Sequence, residues 1–342
     1  MQSKSIRNQG VDLTKAIAIL GVIIIHTSST GLNYSLLSFD WLSSVFVRSV
    51  VSASVPLFFM CSGALLLDGK KDFSLRQLYT RRLPRILLAL LVWATGYKVF
   101  HLLYAGTFSA ALLIRALKEV VLFNHEFHLY FLHIILIVYI FLPIARVFTK
   151  NASCADLRYL LIVWFAFGIL YPTVKGFWPF TLLSGIPTQW AINMTYAAIG
   201  YAILGHYMTQ YPIRRSLLLI SGAVGFVIVF AGTVFMSTRA QALYTGFLEG
   251  MSVGVAFLAV GIFGLCCREN KLSKTAVIRQ LSNGSFCIYL VHVFMIYFLQ
   301  ELGIHTFSPY IVSIPLISLL NLLLSFVVYA VLKQIPLVRM VV

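Results

Sequence analysis

Three ionisable residues in the first apolar stretch of the chain have a spacing that places them on one side of a helix. Asp12, Lys15 and His26 interrupt a run that is otherwise almost entirely apolar. At about 3.6 residues per turn, the step from Lys15 to His26 is within about 20° of a whole number of turns, and at about 1.5 Å per residue it spans about 16 Å. Asp12 lies one turn before Lys15. The spacing predicts a polar stripe along one helix face.

His26 is the member of this stripe best suited to general-base catalysis. A neutral imidazole accepts a proton near pH 7, whereas a lysine or a carboxylate is less suited to that task. We therefore interpret His26 as a catalytic base with Lys15 and Asp12 as supporting charges, because ionisable groups inside membrane spans are costly and mark functional sites. The alternatives are a neutral histidine bonded between helices and a lysine that reaches the lipid headgroups.

A group of arginines precedes the third apolar run. Arg76 is followed by Arg81, Arg82 and Arg85, the last three at positions i, i+1 and i+4. Guanidinium groups bind phosphates through paired, charge-assisted hydrogen bonds. The pattern predicts a phosphate-binding site at the membrane edge, and the alternative ligand is an anionic lipid headgroup.

Two further pairs of polar residues mark later apolar runs. Glu126 and His128 stand at the start of the fourth run, where we expect them at the depth of His26 and able to orient its imidazole or the acceptor. Tyr289 and His292 lie three residues apart and can share a helix face. We interpret this second pair as substrate contacts.

An aromatic segment between the fifth and sixth runs contains Trp178. A flat indole can pack against a sugar ring, so Trp178 is a candidate acceptor contact. The alternative is an aromatic belt at the membrane interface. The sequence contains no HExxH helix and no Cys/His spacing typical of zinc, so no metal is expected.

The composition is that of a membrane protein. Of the 342 residues, 60% are hydrophobic and 11% are charged, against about 25% charged in soluble domains. The apolar runs do not alternate with polar residues, as they would in a membrane β-barrel, so the spans must be helical. We predict an all-α, polytopic integral membrane protein, one membrane-embedded domain over residues 1–342. About ten spans of about 20 residues fit this length, near 11–29, 43–67, 84–105, 128–148, 157–171, 190–208, 216–236, 244–265, 285–302 and 308–332.

The net charge of +16 reflects membrane orientation and not nucleic-acid binding. With these spans, twenty lysines and arginines fall on one side of the membrane and four on the other. Because cytoplasmic loops collect basic residues, both termini are predicted to be cytoplasmic, in a multi-pass protein of the inner or plasma membrane. Segment 106–127 is amphipathic and is predicted to lie partly along the lipid surface.

Taken together, these motifs resemble acyltransferase family 3, the integral membrane O-acyltransferases. A basic residue, ten intervening residues and a histidine mark the first span of that family, as Lys15 and His26 do here. The other matching motifs, in chain order, are VPLFFMCSG from Val55, YTRRLPRI with its arginines, HLYFL from His128 and SFCIYLVH with Ser285, Tyr289 and His292. The similarity extends over nearly the whole chain and is greatest to the branch of the enterobacterial common antigen O-acetyltransferase.

The resemblance implies transfer of an acyl group, usually acetyl, from cytoplasmic acetyl-CoA to a hydroxyl of a cell-surface polysaccharide or a lipid-linked glycan. Under this interpretation the arginine group binds coenzyme A and the histidine acts nearer the outer side. A transporter or flippase is the alternative, because buried charges in a helical bundle also serve solute transport. A structural or sensory membrane protein would leave these residues unexplained.

Overall fold

The computed structural model describes residues 7–69, 74–124, 126–268, 271–336 and 338. These residues form fourteen α-helices joined by loops and by short 3₁₀ and π-helical turns. The first seven helices are α1 (Gln9–Thr27), α2 (Phe39–Val51), α3 (Ser54–Leu66), α4 (Leu75–Gln77), α5 (Leu83–Tyr104), α6 (Ala110–Val121) and α7 (Tyr130–Asn151). The remaining helices are α8 (Cys154–Trp164), α9 (Tyr171–Val174), α10 (Met194–Gln210), α11 (Arg215–Ala240), α12 (Val253–Cys266), α13 (Ala276–Glu301) and α14 (Tyr310–Leu332).

Eight helical segments of the described chain are long and apolar enough to span a membrane. They contain α1, α2 with α3, α5, α7, α8 with α9, α11, α13 and α14. The other two predicted spans correspond to shorter helices, α10 with 17 residues and α12 with 14. The all-helical, multi-pass prediction is confirmed, while the predicted number of spans exceeds the eight found. Residues 1–6 and 339–342 lie outside the described residues, so the side of both termini stays a prediction.

Three predicted boundaries were wrong for physical reasons. The span predicted at 43–67 is divided, because α2 ends at Val51 and α3 begins at Ser54. The span predicted at 244–265 is helical only from Val253, and a loop precedes it. Helix α13 begins nine residues before the predicted 285, because Arg279, Gln280, Ser282 and Asn283 in its first turns lower the local hydropathy.

Helix α1 lies at the centre of the bundle. It packs against α2, α3, α12, α13 and α14, and small residues on its surface permit this close approach. A methyl group on Gly21, for example, would clash with the side chain of Ser54 on α3. Because α1 is surrounded, its polar stripe is held inside the protein and away from lipid.

The contact between α3 and α10 is close enough for the two backbones to touch. A methyl group on Gly63 of α3 would clash with the backbone of Ala202, and one on Gly205 of α10 would clash with the backbone of Met60. Small residues of this kind are the usual basis of tight helix packing in membranes. This pair fixes α3 beside α1.

Helix α6 confirms a helix within the predicted amphipathic segment 106–127. It is joined to α5 by an ion pair between Lys98 and Glu119, whose Nζ and Oε2 atoms are 2.6 Å apart. This hydrogen bond and charge hold the pKa of the Glu119 carboxyl below its usual range. The exposed apolar side of α6 and of the residue after it includes Ile114, Val121 and Leu122.

Candidate active site

Three histidines from different parts of the chain come together inside the bundle. They are His26 at the end of α1, His128 in the 3₁₀ turn before α7, and His292 in α13. The ring centroid of His26 lies 5.1 Å from that of His292 and 6.3 Å from that of His128, and the other two centroids are 5.5 Å apart. The structure thus brings together His26 and His128, which the sequence analysis expects at similar depth. We call these three residues the histidine cluster.

His292 is held in place by a backbone carbonyl of its own helix, which bonds its ring, and by α14, which bonds its backbone. Its Nδ1 lies 2.6 Å from the carbonyl oxygen of Tyr289. Because a carbonyl only accepts, Nδ1 carries the proton, and Nε2 of the neutral ring is an acceptor. Among the described residues, this buried Nε2 has no hydrogen-bond partner. The amide of Asn321 donates to the His292 carbonyl at 2.9 Å, and the Ser325 hydroxyl donates to Asn321 at 3.0 Å.

Two tyrosines fix the turn that carries His128. The hydroxyl of Tyr289 donates a hydrogen bond to the backbone carbonyl of His128. Tyr97 on α5 lies edge-on to the His128 ring, with centroids 4.9 Å apart, and its hydroxyl donates to the carbonyl of Leu290 at 2.9 Å. The position of His128 thus depends on α5 and α13 together.

A cavity of about 400 Å³ extends from the arginine group towards the histidine cluster. Three cations, Lys15, Arg82 and Arg85, line it together with hydroxyl, amide and ring side chains. The uncharged lining residues are Phe58, Ser62, Leu66, Ile86, Phe131, Ile135, Tyr139, Ser282, Asn283, Ser285, Phe286 and Tyr289. We call this space the arginine cavity. The cavity ends at Tyr289, whose hydroxyl bonds the backbone of His128, so one residue separates the cavity lining from the histidine cluster.

The arginine group divides between the cavity and the protein surface. Arg82, which is half-buried, and Arg85, which is exposed, line the cavity, whereas Arg76 and Arg81 are exposed and lie outside its lining. One terminal nitrogen of Arg82, Nη1, is buried and has no hydrogen-bond partner within the described residues. The guanidinium carbon of Arg85 lies 5.9 Å from the centroid of the Phe286 ring. A buried donor without a partner indicates a site for an anionic or strongly accepting group.

A π-helical turn before α5 divides the arginine group between the cavity and the protein surface. Leu78–Arg82 forms the turn, and α5 follows with Pro84 in its first turn, where the missing N–H is tolerated. Leu78 is fully buried and anchors the turn. Such turns are rare and occur frequently at functional sites. The sequence reveals the proline but not the change of helical pitch.

The two supporting charges of the first span, Asp12 and Lys15, have different surroundings in the structure. Lys15 lines the arginine cavity, and Asp12 instead forms an ion pair with Arg7. The Ser282 hydroxyl donates to Asp12 Oδ1 at 2.6 Å, and Arg7 Nη2 donates to Asn283 Oδ1 at 2.9 Å. Asp12 therefore connects the start of α1 to the wall of the cavity on α13, about 20 Å along α1 from His26 at about 1.5 Å per residue.

Glu126 also has a different partner from the one expected. Its Oε1 lies 2.8 Å from Nε2 of His101 on α5. The Glu126 carboxylate is thus bonded to His101 and does not orient the His26 imidazole. Sequence reasoning did not identify His101, because the two residues lie 25 positions apart and only the fold brings them together.

A second, smaller space reaches His26 from the other side. This crevice of about 40 Å³ lies between the ends of α1 and α13 and the loop before α14. Its lining residues are His26, Thr27, Thr30, Ile296, Leu299, Gln300, Ile304, His305, Thr306 and Ile317. We call it the threonine crevice. His26 is consequently accessible from a space other than the arginine cavity.

Trp178 lies outside the linings of both spaces. Its side chain is 80% exposed, in the loop between α9 and α10. A contact with a bound acceptor therefore stays a prediction, and its exposure also fits an aromatic belt.

Arg48 is a residue near the cluster that sequence reasoning missed. It lies within α2, and its Nη1 donates to the carbonyl of Ile25 at 2.8 Å and to the hydroxyl of Ser29 at 3.2 Å. These bonds hold the end of α1 next to His26. The signal was available, because an arginine inside an apolar span is itself a mark of function.

Comparison with known protein families decides the class. The family model described as an acyltransferase domain, that of acyltransferase family 3, matches residues 8–330. The chain belongs to acyltransferase family 3. Neither curated proteins nor solved structures gave a significant match.

The matched region contains every residue of the histidine cluster, the arginine cavity and the threonine crevice. Membership of acyltransferase family 3 and the eight apolar helices together identify a multi-pass membrane acyltransferase. Imidazoles at these distances are suited to proton transfer, and cations at a buried cavity are suited to binding an anionic donor.

Proposed function

We propose that the protein transfers an acetyl group from acetyl-CoA on the cytoplasmic side to a hydroxyl of a cell-surface polysaccharide or a lipid-linked glycan. One observation carries this proposal. Tyr289 lines the arginine cavity and bonds the backbone of His128, so the cavity with its three cations ends one residue from the histidine cluster. Donor and base would meet there.

Arg82 and Arg85 would bind the phosphates of coenzyme A, with Lys15 deeper along α1 and Arg76 and Arg81 near the cytoplasmic mouth. Support comes from the buried, unpartnered nitrogen of Arg82 and from the three cations of the lining. Each charge-assisted hydrogen bond contributes about 1.5–3 kcal/mol. The acyl thioester would then extend past Phe131 towards Tyr289 and the cluster.

His26 would act as the general base. Its imidazole takes the proton of the acceptor hydroxyl while that oxygen attacks the thioester carbonyl carbon. The C–S bond then breaks, and the coenzyme A thiolate takes a proton, which the His26 imidazolium supplies. The reaction gives an ester and free coenzyme A. The crevice supports this role because it gives an acceptor its own approach to His26.

His292 would position His26 and stabilise its protonated form. The two ring centroids are 5.1 Å apart, and Nε2 of His292 is an available acceptor. A small ring rotation brings the facing nitrogens within hydrogen-bond distance. His128, held by Tyr289, would complete the wall on the other side.

The positive-inside bias supports a cytoplasmic arginine group and a location in the inner or plasma membrane, with membrane lipids around the bundle. The motif similarity supports the branch of the enterobacterial common antigen O-acetyltransferase. The transporter alternative is not supported by the family match.

Purified protein in liposomes, supplied with ¹⁴C-acetyl-CoA and a lipid-linked glycan fraction, tests the proposal. We expect label on the glycan. His26→Gln should lower kcat about 10²- to 10⁴-fold, because a positioned base contributes that much, while the Kd of acetyl-CoA stays unchanged. Arg82→Gln should instead raise the KM for acetyl-CoA at least tenfold.

Near-normal turnover in His26→Gln would overturn the role of His26. Label retained on wild-type protein without acceptor, and absent from His26→Gln, would show a covalent acetyl-histidine in place of direct transfer. Absence of labelled glycan under all conditions would contradict acyl transfer itself.

A further inference from the structure

The threonine crevice is narrow where it meets His26. Its volume is about 40 Å³, and one water needs about 10–15 Å³ measured in this way. The space therefore holds a group of about three non-hydrogen atoms. A pyranose ring with its substituents is several times larger than such a group.

The walls of the crevice divide into an apolar part and a polar rim. Ile296, Leu299 and Ile317 are apolar and suit a methylene group. The rim carries Gln300 and His305, both exposed, whose donors and acceptors match ring hydroxyls. A narrow apolar neck with a polar rim is complementary to a sugar that inserts one arm and leaves its ring outside.

A hydrogen bond across the rim keeps the opening narrow. The hydroxyls of Thr30 and Thr306 are 2.9 Å apart and join the segment after α1 to the loop before α14. The segment after α1 is also held by Arg48, which donates to Ser29. The width of the opening is thus set by contacts on both sides of His26.

We infer that the threonine crevice admits a single exocyclic hydroxymethyl arm of the acceptor, so that the enzyme acylates a primary hydroxyl and leaves ring hydroxyls unmodified. The inference rests on the proposed function, since it requires His26 to face the acceptor. In the reaction, His26 takes the proton of the hydroxymethyl O–H group, and the hydroxyl oxygen bonds to the acyl carbon as the C–S bond of the thioester breaks. The sugar ring stays at the rim beside Gln300 and His305.

The position of the ester in glycans from living cells tests the inference. Surface glycans and lipid-linked glycans are isolated from cells that make the wild-type protein and from cells that make His26→Gln, and two-dimensional ¹H–¹³C NMR locates the esters present only with the wild type. We expect these esters on CH₂–O carbons.

Wild-type-dependent esters on ring carbons would overturn the inference and leave the proposed function intact. If no ester depended on the wild-type protein, the proposed function would fall, and the inference with it.

A variant that fills the crevice gives a second measurement. The lipid-linked glycan fraction of the His26→Gln cells serves as acceptor. Thr306→Phe should lower kcat/KM for this acceptor at least tenfold, while the KM for acetyl-CoA stays within twofold. Leu302→Phe is the matched control, because Leu302 is exposed at the end of α13 and outside the crevice lining, and it should retain wild-type kinetics. An equal loss in both variants would contradict the crevice as the acceptor route.

Discussion

At the scale of single residues, His26 and His292 of the histidine cluster differ in their access to a substrate. His26 is accessible from the threonine crevice, whereas His292 is fully buried and tied at Nδ1 to its own helix. The accessible imidazole is placed to meet a substrate, and the buried one offers an acceptor atom of fixed direction. This division resembles the way a catalytic base is oriented by a second group in other hydrolytic and transfer enzymes.

The role of His292 is tested by a substitution that removes one ring nitrogen and keeps the other. His292→Asn retains a donor near the Tyr289 carbonyl and loses the Nε2 acceptor. A hydrogen bond to a charged group is worth about 1.5–3 kcal/mol, so kcat should fall about 10- to 100-fold with the thermal stability nearly unchanged. Steady-state kinetics and thermal unfolding in detergent measure both quantities.

His292→Leu is the comparison variant, because it loses both nitrogens and should also unfold at a lower temperature. Equal kcat in His292→Asn and wild type would show that Nε2 has no part in catalysis.

Residue patterns alone predicted some of this site and not the rest. Lys15 and His26 were predicted on one face because α1 is a single unbroken helix, where spacing fixes direction. The hydrogen bond from Ser282 to Asp12 was not predictable, because Ser282 is 270 residues away and only the packing of α13 on α1 brings the two together.

At the scale of helices, α1 and α13 form the axis of the site. α1 carries Lys15 and His26, and α13 carries the cavity wall, Tyr289 and His292. Helical spans were predictable, since apolar runs of this length have one solution in a bilayer. Their ends were less predictable where polar residues extend a helix beyond its apolar run, as in α13, or where an apolar run is partly a loop, as before α12.

The close contact of α3 with α10 yields a stability prediction. Gly63→Ala places a methyl group against the backbone of Ala202, and overpacking of this kind costs about 1–3 kcal/mol. The protein should unfold at a lower temperature in detergent, and a smaller folded fraction should be recovered from membranes. Scanning fluorimetry and size-exclusion chromatography measure these changes.

Gly222→Ala on α11 is the matched control. The nearest atom to its added methyl group would be 3.9 Å away, and alanine is favoured over glycine in a helix by about 1 kcal/mol. This variant should be as stable as the wild type or more so. A Gly63→Ala protein of wild-type stability would show that α3 and α10 can separate at little cost.

At the scale of the whole molecule, the arginine cavity and the threonine crevice lie on two sides of the histidine cluster, and only the crevice is lined by His26. The arginine cavity belongs to the cation-rich end and the threonine crevice to the other. The net charge of +16 and its uneven distribution agree with a fixed orientation in the membrane. Sequence alone predicted this polarity, because charge bias depends on composition along the chain and not on packing.

Labelling of single cysteines tests the orientation. Tyr79 and Leu182 are exposed residues at the predicted opposite sides, and each is replaced by cysteine in a protein whose partly exposed Cys154 and Cys267 are serine. A membrane-impermeant maleimide should label Leu182→Cys in intact cells and Tyr79→Cys only in inverted vesicles. The reverse pattern would place the arginine group outside and contradict a cytoplasmic donor.

The 14-residue helix α12 is short relative to the lipid bilayer. At about 1.5 Å per residue it is about 21 Å long, well short of the hydrocarbon thickness of about 30 Å. Irregular backbone at such depth must be satisfied by protein, and side chains of α10 and α9 do this. Tyr201 of α10 donates to the carbonyl of Gly250 in the loop before α12 at 2.8 Å, and Thr173 of α9 accepts from the amide of Val253 at 3.2 Å. No residue of α12 is exposed, so the surrounding protein covers the missing height, and the short helix does not require thinner lipid beside it.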